Sequence, residues 1–290
     1  MVEHFVRPPE WTWYILSYFF LAGVSGGLYA IGTMLRLWGG RGDEATARIA
    51  FLWAFPILLA CPVLLTLDLG QPLRFWHMLV ATTPGQGGPI FRDWSPMSVG
   101  SWALFVYGMF AAVSFLEALA RRGAAGSAPV GMGTRLFNLL GALPALFVAS
   151  YTGVLLSVSN QPLWSDTWTL GGLFLASGLS GAAALLAAVA RRDGGTGARL
   201  RLADGYFALI EVVWILLLFA TLAAAGTLPL LVRGPWLFLW LIVAIGLVPP
   251  LMALARREPA RPPAAAVLAA VLALVGVLAL RAVIIFSAQV

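Results

Sequence analysis

Long apolar stretches alternate with short polar ones along the whole chain. Eight stretches stand out, over residues 14–37, 49–67, 98–120, 136–159, 168–190, 206–228, 235–255 and 264–286. Each is close to or above the ~20 residues a helix needs to cross a ~30 Å hydrocarbon core. Backbone groups in lipid must bond within their own segment, so each stretch reads as a helix. The pattern predicts an all-α integral membrane protein with eight transmembrane helices in one membrane domain, residues 1–290. The stretch Phe20-Leu21-Ala22-Gly23-Val24-Ser25-Gly26-Gly27 is echoed by Phe174-Leu175-Ala176-Ser177-Gly178-Leu179-Ser180-Gly181. Tryptophans precede both, and the two spans run in the same direction. The echo predicts two parallel four-helix bundles. Span one is too long and too rich in aromatics and glycine for a cleaved signal peptide.

Composition agrees. The chain is 61% hydrophobic and 10% charged, against roughly 25% charge in soluble domains. Every basic residue is Arg, and the net charge is +6. In a soluble protein that balance would suggest nucleic acid. Here the arginines fall mostly in loops one, three, five and seven, among them Arg36, Arg48, Arg121 and Arg199. Basic loops stay on the cytoplasmic side. The expected orientation is therefore N-out and C-out, with the 68–97 loop outside and no nucleic-acid partner.

Candidate chemistry is sparse. Cys61 is alone and reads as packing. His4 and His77 both lie outside the spans, so a haem held between facing helices is not expected. No Cys cluster, HExxH, Walker loop or GxGxxG appears, and no metal site is expected.

Polar groups instead gather at one depth, beneath the outer surface. Asp68-Leu69-Gly70-Gln71-Pro72-Leu73-Arg74-Phe75-Trp76 leaves span two and is followed by His77. Tyr14 and Tyr18 share a face of span one. Ser98 and Ser101 open span three, Tyr151 lies in the outer half of span four, and Arg281 lies inside span eight. Intramembrane charges are costly and usually have a function. On the other side, Glu117 is four residues before Arg121, a favourable ion-pair spacing. Glu211, near the start of span six, has no cation in its own helix. Glu211 and then Glu117 are the proton-relay candidates. Gly23 and Gly27 form a GxxxG contact motif.

Four motifs resemble the NrfD/PsrC family, the polysulfide-reductase-type membrane subunits. They are Tyr18-Phe19-Phe20-Leu21-Ala22-Gly23 with Gly26-Gly27; Asp68-Leu69-Gly70 with Pro72, Arg74, Phe75 and Trp76; Ser95-Pro96-Met97-Ser98 with Gly100-Ser101-Trp102; and Tyr151-Thr152-Gly153-Val154-Leu155-Leu156-Ser157. The resemblance implies a haem-free subunit of a respiratory oxidoreductase in a bacterial or archaeal cytoplasmic membrane. It implies a quinone, menaquinone or ubiquinone, bound near the outer face. It also implies a ferredoxin-like iron–sulfur subunit docked there, and a catalytic partner that is a molybdopterin enzyme or a multihaem cytochrome. Tyr151 resembles the tyrosine that contacts the quinone head group. Tyr14 and Tyr18 fall where some relatives have an amide and a His.

The residues agree with that implication. A quinol needs hydrogen-bond partners for two oxygens, a proton acceptor and a nearby electron acceptor. Asp68, His77 and Tyr151 are the candidates for the chemistry. Tyr14, Tyr18, Asp68, Arg74, Ser98, Tyr151 and Arg281 are the candidates for binding. The irregular loop with Pro84, Gly85, Gly87, Gly88 and Pro89 suits ordering by a partner. Two other classes compete. A transporter usually carries polar residues near mid-membrane. A passive anchor for a peripheral enzyme needs neither Asp68 nor Arg281.

Overall fold

The computed structural model describes residues 7–40, 42–82, 87–121, 130–190, 194–256 and 262–289. His4, Pro84, Gly85, Arg41, Arg122, Arg191, Arg192, Arg257 and Arg261 lie outside the described residues. The helices are α1 Trp13–Trp38, α2 Asp43–Asp68, α3 Pro96–Ala120, α4 Met132–Ser157, α5 Leu170–Val189, α6 Gly194–Ala225, α7 Leu228–Val232, α8 Trp236–Arg256 and α9 Pro263–Ser287. All but the short connector α7 are long and apolar enough to cross a membrane. The protein is an all-α multi-pass membrane protein.

Two helices start well before their predicted spans. Helix α2 starts at Asp43 rather than 49, and α6 at Gly194 rather than 206. The added turns are polar, so hydropathy does not see them. Asp43 and Glu44 suit a helix N-terminus, where backbone N–H groups carry partial positive charge. Helix α4 runs over Met132–Ser157 rather than 136–159. The α6 extension also moves Glu211. It lies near the middle of its helix, not close to its start.

Helix packing follows the predicted halves. Helices α1, α2, α3 and α4 close one ring, and α5, α6, α8 and α9 close another. The rings meet where α1 and α4 pack on α5, with α1 also touching α9. Within their most apolar windows, 83% of α1 and 72% of α5 is buried, against 22–28% for α2, α3, α6 and α8. The core therefore sits along α1 and α5, and the peripheral helices present Leu, Val, Phe and Met outward. Lipid rather than water is the natural cover for such a surface.

The first and last described segments lie at one end of the molecule. The Trp11 backbone N–H donates to Gln289 Oε1 at 2.6 Å, and Gln289 Nε2 donates back to the Trp11 carbonyl at 3.2 Å. Trp11 stacks on Trp164, whose indole N–H reaches the Ile284 carbonyl at 2.8 Å. At the opposite end the Asp43 carboxylate accepts from Arg199 at 2.6 and 2.8 Å and from Thr196 at 2.5 Å. One clasp at each end thus ties the two rings together.

Candidate functional site

The third and fourth sequence motifs meet in space. Pro96 opens α3, and its carbonyl accepts a hydrogen bond from the Tyr151 hydroxyl on α4. Gly100, one turn later, lies directly under the Tyr151 ring, and any Cβ there would collide with the ring and its oxygen. Phe147 stacks on the Tyr151 ring at 5.7 Å. The serines of the same motif hold the loop in place. Ser95 Oγ caps the Ser98 N–H at 3.4 Å, and Ser98 Oγ accepts from the Arg92 N–H at 3.1 Å. Trp102 donates to the Ile90 carbonyl at 2.8 Å.

Tyr18 joins this group from α1. It is 4% exposed and within electrostatic range of Cys61 and Tyr151. Among the described residues its hydroxyl has no hydrogen-bond partner. Tyr14, one turn nearer the helix end, is 45% exposed, so the two tyrosines that share a face differ in surroundings. Cys61 on α2 is buried as expected, with Sγ 4.0 Å from the Tyr18 carbonyl. Asp68 lies two turns beyond Cys61 on the same face of α2, roughly 10 Å along the axis. It is half-buried, and its carboxylate accepts no hydrogen bond among the described residues.

The loop after Asp68 is more ordered than its composition predicts. Pro72–Met78 form a 3₁₀ turn, and Val80–Ala81 (β1) pair antiparallel with Gly88–Pro89 (β2). Arg74 and His77 are exposed on the turn, with His77 packed edge-on against Trp76 at 4.2 Å. Leu73 is 88% exposed and Trp94 77%. This end of the molecule presents a broad apolar surface beside the tyrosines.

Arg281 lies elsewhere, fully buried where α9 meets α1 and α5. Its guanidinium donates to the carbonyls of Phe19 at 3.3 Å, Phe174 at 3.0 Å and Val277 at 3.2 Å, and to Ser177 Oγ at 2.9 Å. It also stands 4.8 Å over the Phe174 ring. Only its contact with Phe19, next to Tyr18, links it to the tyrosine group. A Cβ on Gly23 would come within 2.6 Å of Arg281 Nη2. Gly23 of the GxxxG motif therefore makes room for this side chain.

The Glu117–Arg121 pair forms at 3.2 Å, but it belongs to a larger cluster. Arg36 pairs with Glu44 at 3.0 Å and with Glu117 at 2.8 Å, and Arg121 also reaches Glu44 at 3.5 Å. Arg36 reads from sequence as a loop charge. It is instead buried in the last turn of α1, where two carboxylates and Phe51 offset its desolvation. Asn138 accepts from Arg36 at 2.9 Å and donates to Ser114 at 2.8 Å; Ser114 in turn pairs with Tyr29 at 2.9 Å. Tyr107 and Ser25 pair at 2.8 Å deeper in the same ring. Asn138, Ser114, Tyr29 and Tyr107 are not site candidates from sequence, because their partners sit on other helices.

The second ring holds Glu211 (2% exposed) and Asp204 (7%) on α6. Asp204 is missing from the sequence-based candidates, although seven residues from Glu211 places it on the same helical face. It accepts from Ser180 at 2.7 Å. Tyr206, two residues beyond Asp204 on α6, is 58% exposed and does not join them. A separate cleft of about 410 Å³ opens between the end of α4 and the following loop, lined by Val154, Ser157, Asp166 and Trp168 among others. Among the described residues no group of three or more His, Cys, Asp or Glu is placed to hold a metal.

Comparison with known proteins follows the same lines. A family model described as Polysulphide reductase, NrfD matches residues 3–290. A polysulfide reductase chain of Wolinella succinogenes is 29% identical over 59% of this protein and 55% of its own length. A tetrathionate reductase subunit of Salmonella typhimurium is 29% identical over 67% of this protein and 54% of its own. A selenate reductase subunit of Mesobacillus selenatarsenatis is 33% identical over 26% of this protein and 18% of its own. The protein thus spans about half the length, or less, of these relatives.

Proposed function

The chain belongs to the NrfD polysulphide reductase family, and from that premise we propose that it is the quinone-reactive membrane subunit of a multisubunit oxidoreductase. The observation that carries this reading is Tyr18, a side chain only 4% exposed whose hydroxyl makes no hydrogen bond among the described residues, near Tyr151 and below the Asp68 carboxylate, which has no ion-pair partner among them. Polar groups at the edge of an apolar interior and without protein partners suit a ligand that supplies the missing bonds. A quinone fits this set. Its head group takes a donor at one oxygen and a proton-exchanging group at the other, and its isoprenoid tail fits a site open to lipid.

The quinone supplies the two-electron chemistry. The protein's residues hold and protonate it. Tyr18 donates to one oxygen. Tyr151, fixed by Pro96, Gly100 and Phe147, forms an aromatic wall and orients the ring. Asp68 takes the proton released on quinol oxidation, or returns it in the reverse direction. His77, exposed on the 3₁₀ turn, passes that proton to water. Ser98 supports the loop before α3 through the Arg92 N–H, and Arg74 lends its positive charge from the exposed 3₁₀ turn. Arg281 acts through the Phe19 carbonyl, fixing the α1 turn that carries Tyr18. The exposed surface of Leu73, Phe75, Trp76 and Trp94 is the docking face for a ferredoxin-like iron–sulfur subunit, which hands electrons to or from a catalytic partner. The relatives are each named as one part of a reductase, which speaks for assemblies in those proteins.

The test is quinol-linked electron transfer in the intact complex. Asp68→Asn and Tyr18→Phe keep shape, and each should slow turnover by ~10²-fold, the scale of general acid–base catalysis, while assembly persists. Near-normal turnover in both would leave a passive anchor as the better reading.

A further inference from the structure

The interior of the second ring contains a built polar site that the quinone reading does not use. Glu211 is 2% exposed and, among the described residues, accepts no hydrogen bond. It faces a cavity of about 10 Å³ at the centre of the ring, close to the least volume that holds one water. All four long helices of the ring line it: Ser180 from α5, Glu211 from α6, Val243 and Gly246 from α8, and Gly276 and Val277 from α9. Gly246 and Gly276 bring α8 and α9 together; a Cβ on Gly246 would come within 2.7 Å of the Gly276 Cα. This close crossing closes the wall on the lipid side. Ser180, on the opposite wall, already donates to Asp204 at 2.7 Å.

We propose that Asp204, Ser180, one water in this cavity and Glu211 form a proton relay entering the second ring from the α6 N-terminal end. Ser180 donates to Asp204 in the resting state. When Asp204 takes up a proton from the α6 N-terminal side, the Ser180 hydroxyl turns to the water. A proton then passes from the Asp204 carboxyl to Ser180, from Ser180 to the water and from the water to the Glu211 carboxylate. Each donor is reprotonated from the side opposite the one it gave to, so one proton moves and no electron does. Among the described residues the charged and titratable groups facing Glu211 are few. Helix α6 supplies Asp204, α9 supplies Arg281, and α5 supplies the Ser180 hydroxyl. Helix α8 contributes only apolar side chains and glycine to the cavity. Arg281 interacts electrostatically with Glu211 and is anchored to Phe19 on α1, beside Tyr18. Motion of that turn during quinone exchange changes the field at Glu211, which gives the relay its coupling. A carboxylate buried in a membrane interior, without a protein hydrogen bond, suits a group that exchanges protons.

The inference rests on the quinone-linked reading only for its source of free energy. The experiment uses the complete complex in sealed vesicles, with a water-soluble quinol as donor and ferricyanide as acceptor. Electron transfer and membrane potential are recorded together. Ser180→Ala and Glu211→Gln should each cut the charge moved per electron at least tenfold, with electron transfer within twofold of wild type. Ser180→Thr keeps a hydroxyl and should restore charge movement. Wild-type complex that moves no charge, or Ser180→Ala and Glu211→Gln variants that still move it, would overturn the relay. Absent quinol oxidation in the wild type counts against the quinone reading alone. The relay is then judged by infrared spectroscopy of the resting complex. A protonated-carboxyl band should shift in D₂O, vanish in Glu211→Gln and exchange more slowly in Ser180→Ala. No such band, or one indifferent to both variants, would overturn it.

Discussion

Arg281 shows how far one residue's role depends on its surroundings. The sequence marks it as an intramembrane charge, and such charges are rare enough to suggest a site. In the structure its guanidinium bridges α9 to the carbonyls of α1 and α5 and to Ser177. Three helices thus converge on one planar fork of donors. Lysine carries the same charge but has a single ammonium, which cannot span these acceptors. Arg281→Lys should therefore lower the thermal stability of the detergent-solubilised complex, and Arg281→Leu should do so as well. Truncating a buried charged partner costs roughly 3 kcal/mol or more. Unchanged melting in both variants would remove the bridging role.

At the scale of elements, the seam between α1 and α5 decides the architecture. Gly27 faces the Gly178 carbonyl and Ala182, where a Cβ would approach to 2.7 and 2.8 Å. Gly178 faces Gly23 in return, at 2.9–3.1 Å. The repeated small-residue stretches therefore pack on one another, so the echo in sequence is also a contact. Lipid gives helices no hydrophobic drive to associate, and close backbone approach is what holds them. Gly178→Val should push the helices apart. Overpacking of this kind costs ~1–3 kcal/mol, and a thermal-shift assay should report that loss. A Cβ added to Gly108 on α3 would meet no atom within 4 Å. Gly108→Ala should be neutral or stabilising by up to ~1 kcal/mol, since alanine suits a helix interior better than glycine.

At the scale of the molecule, the even number of spanning helices among the described residues and the Trp11–Gln289 pair put the first and last described segments at one end. From the arginine distribution that end is expected to face outward. Reporter fusions after Gly87 and Gly131 should report opposite sides of the membrane, with Gly87 outside. The same side for both would overturn the orientation. The two rings divide the proposed work. The tyrosine group and Asp68 lie in the first, and the Asp204–Ser180–Glu211 series lies in the second. Arg281 stands between them.

The sequence by itself determined the class, the number of spans and the pairing of helices into two rings. Hydropathy and small-residue patterns are local signals, and lipid enforces them at every position. It also marked Tyr18, Asp68, Ser98, Tyr151, Glu211 and Arg281 as worth attention, because polar groups in apolar runs are conspicuous. The tertiary structure decided which of them meet. Tyr151 finds Pro96 and Gly100 across about fifty residues of sequence, Arg36 leaves the loop class for a buried four-charge cluster, and Ser180 finds Asp204 across two helices. Periodicity fixes the face on which a side chain lies, but the partner on that face belongs to another helix. Helix starts at Asp43 and Gly194 were hidden for a related reason: their first turns are held by Asp43–Arg199 and Asp43–Thr196 contacts, which hydropathy does not register.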